Sequence, residues 1–212
     1  MLIMRTAKEF ENDISDLLDI FFSRVDQASI RTRESLKYRS ESGFRNYSPL
    51  IDVTVGPFSE VRGISLWQDY DRCVNFSQNL IDDLVREFRI NYQDFGEGYF
   101  RVEEREIPRS YADFLSSNKG ANWNARCFLA IEVEDSGSRK HLLGDMINAS
   151  ISGRIGVLVG YNEDKYQTFM RLLEYLAYTV RAGKIKFSSG NILVLKPDQL
   201  EMALVDNLEE GR

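Results

Sequence analysis

The sequence predicts an α/β fold, a central mixed sheet flanked by helices, and three observations carry that expectation. Apolar residues recur at helical spacing in several long stretches, and short alternating or wholly apolar runs bounded by Gly and Pro stand between them. In the C-terminal half the two patterns alternate as strand, helix, strand, helix, the order of a right-handed crossover. With 212 residues, 43% of them hydrophobic, the chain can bury one sizeable core, so a single α/β domain over 1–212 is expected.

In chain order, Thr6 and Glu9 form a capping box, and Phe10, Ile14, Leu17, Leu18, Phe21, Phe22 and Val25 follow at helical spacing. This predicts a helix over roughly 7–26. Residues 29–46 are locally basic, with a short strand expected around Leu36–Arg39. Ser48 to Pro57 alternates Ile51, Val53 and Val55 with Leu50, Asp52 and Thr54, a strand stopped by Gly56-Pro57. Ser65 with Gln68 is read as the cap of a long helix to about Phe88. Residues 89–125 lack periodicity and suggest loops with a hairpin around Tyr99–Glu106, making about 60–125 an insertion. Cys127 to Glu134 is a strand, and Ser138 caps a helix to about Ser150. Arg154 to Gly160 is a strand buried on both faces, and Asn162 caps a helix ending at Gly183. A closing hairpin, Lys184–Phe187 with Asn191–Lys196, and a short helix from Pro197 complete the expected order.

Composition narrows the function classes. A formal charge of −6 and a pI near 5.0 argue against attachment to nucleic acid by bulk positive charge, while leaving room for a basic strip. Arg31, Arg33, Lys37 and Arg39 supply one, read either as a phosphate-contacting strip or as a solvated face. One histidine excludes a Cys/His zinc site, and Cys73 and Cys127 sit in apolar patterns as buried thiols. The start, MLIMRTAKEFE, does not have the form of a signal peptide, and no apolar run approaches spanning length, so a cytoplasmic protein with no membrane partner is expected. Phosphate-binding Gly-Lys-Ser/Thr and Gly-x-Gly-x-x-Gly motifs are absent. A serine triad would depend on His141, which is read as solvated or capping.

The chemistry-bearing feature is the end of the strand before residue 135. Leu129, Ile131 and Val133 point to one face, Ala130, Glu132 and Glu134 to the other, so two carboxylates share a face. A bound cation would relieve their repulsion; water on an exposed strand end would be the bland explanation. Asp52 is an isolated acid in an otherwise apolar strand, which calls for a polar partner. On the 138–150 helix, Leu142, Leu143, Met146 and Ile147 face the sheet, and Lys140 at the edge of that stripe can lean over the strand end. Asp145 falls on the opposite side and is expected to be solvated, with Asn148 at an intermediate angle.

This pattern resembles the PD-(D/E)XK, or restriction-endonuclease-like, nuclease superfamily. Asp52 within Ser48-Pro49-Leu50-Ile51-Asp52, then Glu132-Val133-Glu134 on the next strand and Lys140 on the helix behind, match its parts, and the α-β-β-α-β order agrees. Pro49 is not adjacent to Asp52, Glu134 stands where lysine is usual, and the insertion is long. The resemblance implies a restriction-endonuclease-like core and a metal-dependent nuclease cutting phosphodiester bonds in DNA. It implies Mg2+, with Mn2+ as substitute, held by Asp52, Glu132 and the Val133 backbone carbonyl. Catalysis would fall to Asp52, Glu132, Glu134 and Lys140, with the handling of water left between the last two. Nucleic acid is the implied partner, and homodimerisation stays open. The alternative is a catalytically silent nuclease-like fold serving as a nucleic-acid-binding or protein-interaction module.

Overall fold

The first helix, α1 (Ala7–Phe22), begins as its sequence dictates: the Thr6 hydroxyl accepts from the Glu9 amide and the Glu9 carboxylate accepts from the Thr6 amide. Its stripe of Phe10, Ile14, Leu18 and Phe22 is wholly buried, each side chain contributing roughly 1.5–3 kcal/mol of transfer free energy. The structure, a computed structural model, describes residues 5–25, 28–35, 50–59, 66–95, 107–116, 118, 121–184 and 190–210.

Five strands form one mixed sheet in sequential order: β1 (Ile30–Ser35), β2 (Leu50–Val55), β3 (Cys127–Glu134), β4 (Gly153–Gly160) and β5 (Ile192–Leu195). β1 pairs with β2 and β2 with β3 antiparallel, and β3, β4 and β5 run parallel. Helices α4 (Arg139–Ser152) and α5 (Glu163–Arg181) make the two crossovers, and α6 (Pro197–Glu210) follows β5. Every residue of β3 and β4 is buried, as expected of parallel strands covered on both faces. Gly160 is required where it stands, because a Cβ there would collide with the Tyr166 backbone of α5.

Between β2 and β3 the chain forms α2 (Trp67–Phe76), α3 (Gln78–Asp94) and a short 3-10 turn, Tyr111–Phe114. The expected single helix is therefore two. The break falls at Ser77, whose φ of −96° and ψ of 26° leave the helical region although its amide and its buried hydroxyl both donate to the Cys73 carbonyl. The apolar stripe also continues past Phe88 through Tyr92, so the helical part of the insertion is longer than its composition suggested. Leu36–Arg39, the Tyr99–Glu106 hairpin and Phe187 lie outside the described residues, as does the Ser65 cap; the basic segment contributes β1, at Ile30–Ser35. The second arm of the expected hairpin is β5, which pairs in parallel with β4.

One irregularity positions the site. The β2–β3 ladder pairs Val55 with Leu129, Thr54 with Ala130 and Val53 with Ile131, and ends there. Beyond it β2 continues only against β1, to Leu50, and β3 only against β4, to Glu134. The sheet forks. At the fork, side-chain carboxylates replace carbonyls as acceptors: the Asp52 amide donates to Glu132 Oε2 at 3.3 Å and the Val133 amide donates to Asp52 Oδ2 at 2.9 Å. A forked edge at the C-terminal ends of parallel strands is a natural ligand crevice.

Candidate metal centre

The fork opens into a cleft of about 410 Å³ whose walls come from three directions: α1 (Lys8, Glu11), the strand ends (Asp52, Glu132, Glu134) and α4 (His141, Asp145). Asp52 and Glu132 lie on adjacent strands and line the same cleft, as their shared phase in the two strands predicts. Lys140 is exposed and does not line it. The phase of α4 instead turns His141 and Asp145 inward, because Ser138 begins the helix and the loop 135–137 sets its rotation. Asp145 is therefore not solvated: it is largely buried and faces the acids. Asn148 is half-buried and lies away from the lining.

Glu134 is held in place from behind. Its Oε1 accepts from the amides of Ser136 at 3.0 Å and Gly137 at 2.6 Å, leaving Oε2 directed to His141 Nε2, 3.3 Å away. Asp145 Oδ2 lies 3.7 Å from the same nitrogen. Gly137 makes this approach feasible, since a Cβ would stand 2.7 Å from both Glu134 Oε2 and His141 Cδ2. Donor atoms of Glu134, His141 and Asp145 all fall within 4.8 Å of one another, a grouping that does not include Asp52 or Glu132.

Burial and neighbouring carboxylates favour the protonated forms of two of these acids. Glu132 is only 4% exposed, and its Oε1 accepts no hydrogen bond. Burial, reinforced by the Asp52 and Asp145 carboxylates, holds its pKa well above the ordinary carboxylate range. Asp145 is pushed up to about 7, first by burial; His141 pulls the other way, and Glu134 and Asp52 raise it further. Its buried Oδ2 likewise accepts no hydrogen bond. Among the described residues no Lys or Arg pairs with Glu132, Glu134 or Asp145; Lys8 Nζ is 2.9 Å from the buried Glu11 Oε2.

Sequence reasoning thus missed Lys8, Glu11, His141 and Asp145. The signals were present: Glu11 interrupts the buried stripe of α1, and His141 and Asp145 stand four residues apart on one helix face. Of the expected basic strip, Arg31 stacks its guanidinium over Phe58 at 3.9 Å, Arg33 lies in β1, and Lys37 and Arg39 are outside the described residues.

Fold and site together define an α/β protein with a forked mixed sheet and a carboxylate-lined cleft able to take a cation. Compared with known protein families, with curated proteins and with solved structures, the chain gives no match. Among the described residues no helix is long and apolar enough to cross a membrane.

Proposed function

We propose that this chain is a metal-dependent phosphodiesterase of the endonuclease type, acting on DNA at the fork of the sheet. The observation that carries the proposal is Glu132, a buried carboxylate with an unpartnered oxygen set between two other acids. An acid in that position is costly to the fold, and a divalent ion is what removes the cost. The donor set fits Mg2+, with Mn2+ as substitute: hard carboxylate oxygens from Asp52 and Glu132, with the Val133 carbonyl as a further oxygen. When bound, the ion would polarise the phosphate and lower the pKa of a coordinated water.

The chain's own groups divide the remaining work. Glu134, fixed by two backbone amides, orients a water through Oε2. Lys8, not Lys140, is the lysine that lines the cleft, and it offsets the negative charge that develops on the phosphate. Arg31, on the edge strand beside β2, approaches the nucleic-acid backbone. The resemblance to PD-(D/E)XK nucleases supports DNA as substrate, and the adjacent acid-bearing strands with α4 behind them support the resemblance. The alternative, a silent nuclease-like binding or interaction module, expects acids plugged by the protein's own Arg or Lys; among the described residues that holds for Glu11, paired with Lys8, and not for Glu132, Glu134 or Asp145.

The test is cleavage of a panel of single- and double-stranded DNA and RNA with Mg2+ or Mn2+, using the parent and Glu132→Gln. Metal-dependent cutting that the variant loses, while its circular dichroism stays that of the parent, is the expected result. A folded parent that neither cuts nor gains thermal stability with either ion overturns the proposal.

A further inference from the structure

We propose that Glu134, His141 and Asp145 form a second cation position in the cleft, selective for a first-row transition metal ion over Mg2+. Geometry comes first. An ion bound at about 2.1 Å sets neighbouring donors roughly 3.0–3.4 Å apart in octahedral or tetrahedral shells. His141 Nε2 stands 3.3 Å from Glu134 Oε2 and 3.7 Å from Asp145 Oδ2, and all three donors lie within 4.8 Å of one another, so small side-chain shifts would bring them onto one ion.

The position is built, with donors fixed by the fold. Two amides fix Glu134 from behind, Gly137 keeps the space between Glu134 and His141 open, and α4 presents His141 and Asp145 on one face. A second observation points to a ligand: Asp145 Oδ2, one of the three donors, is buried without a hydrogen bond, as is Oε1 of the 4%-exposed Glu132 in the same cleft.

The imidazole decides the metal. Mg2+ and Ca2+ favour all-oxygen shells, whereas a nitrogen donor beside two carboxylates suits Mn2+, Fe2+, Co2+ or Zn2+. The position deepens the cleft's reading as a metal site and does not rest on nucleic-acid cleavage, because ion binding is measured with no nucleic acid present.

The chain contains one histidine, so any imidazole nitrogen on a bound ion belongs to His141. Tag-free protein, stripped with chelator, is titrated with Mn2+ and followed by electron paramagnetic resonance, with nitrogen coupling read by electron spin-echo modulation. The parent should quench the free Mn2+ signal and show imidazole coupling that excess Mg2+ does not displace. His141→Ala, at an exposed position that leaves folding intact, should lose the coupling and weaken Mn2+ binding by about tenfold or more. Asp52→Asn should keep the coupling. A parent that leaves the free signal unchanged, or that binds Mn2+ without nitrogen coupling, overturns the inference. So does an unchanged affinity in His141→Ala. Mn2+ binding without nitrogen coupling, or unchanged affinity in His141→Ala, would leave the phosphodiesterase proposal standing, since cleavage with Mg2+ is scored separately.

Discussion

The two ends of the β3–β4 pair handle buried charge in opposite ways. At the start of β4, Arg154 is fully buried, yet each of its nitrogens is used: Nε donates to the Phe114 carbonyl at 2.7 Å, one terminal nitrogen to the Asn122 carbonyl at 3.1 Å and the other to Asp71 at 2.9 Å. At the far end of β3, Glu132, Glu134 and Asp145 face one another with two buried oxygens unpartnered. The first cluster is complete within the chain and holds the insertion's α2 and 3-10 turn to the sheet. The second has no Lys or Arg partner for these three acids among the described residues. One buried charge is satisfied by the fold, and the acids at the fork are not, which singles them out as the candidate site.

The largest expected effect comes from breaking the satisfied end. Arg154→Met leaves Asp71 with its Ser116 hydrogen bonds alone and the Phe114 and Asn122 carbonyls without this donor, and should cost about 3 kcal/mol, read as a lowered urea midpoint. A change below about 1 kcal/mol would mean that the insertion is not held by this residue, and the comparison would fail.

A pH series on metal-free protein should give the next effect. For Asp145 the folded pKa, about 7, lies above the ordinary aspartate value of 3.8, so between those limits the native state binds more protons than the unfolded one. Stability therefore falls as pH rises from about 4 to 8, by an amount on the order of 2–4 kcal/mol for a shift of that size in a largely buried group. Glu132, also raised, acts in the same direction. Saturating Mn2+ or Mg2+ should flatten the slope, and Asp145→Asn should flatten it without metal. Differential scanning calorimetry across the range is the measurement, and a rise in stability toward pH 8 would contradict the arrangement of the acids.

Neutralising the unsatisfied end should help rather than harm. Glu132→Gln keeps the acceptor for the Asp52 amide while removing a charge that burial disfavours, so the metal-free variant should gain about 1 kcal/mol at pH 8. Thermal melts with chelator check this, and a lowered Tm would recast Glu132 as a structural carboxylate. The smallest effect is reserved for Lys140→Ala. An exposed side chain outside the cleft should change stability by less than about 0.5 kcal/mol and leave metal binding intact. Lys8→Ala, by contrast, should lower cleavage if the proposed function holds.

Much of this was legible in the chain. Local signals placed the capping box at Thr6–Glu9, the caps at Ser138 and Asn162, and the buried strands β3 and β4, because caps and periodicity act within one or two turns. The phase of β3 put Glu132 and Glu134 on one face, since a strand admits only two faces. The division of α2 from α3 was hidden, because it is a change of backbone angle at one residue, Ser77, that leaves the apolar spacing on either side intact.

What the sequence by itself determined is the order of elements and the identity of the acids at the strand ends, both properties of local periodicity and residue chemistry. What only the tertiary structure decided is which side chains meet there. The rotation of α4, set by its cap and the loop over Gly137, turns His141 and Asp145 inward and Lys140 outward. The packing of α1 against the sheet brings Lys8 and Glu11, distant in sequence, to the same cleft. The fork between β2 and β3 depends on a pairing across residues 55–127 that no local pattern encodes, and it is there that carboxylates take the place of carbonyls.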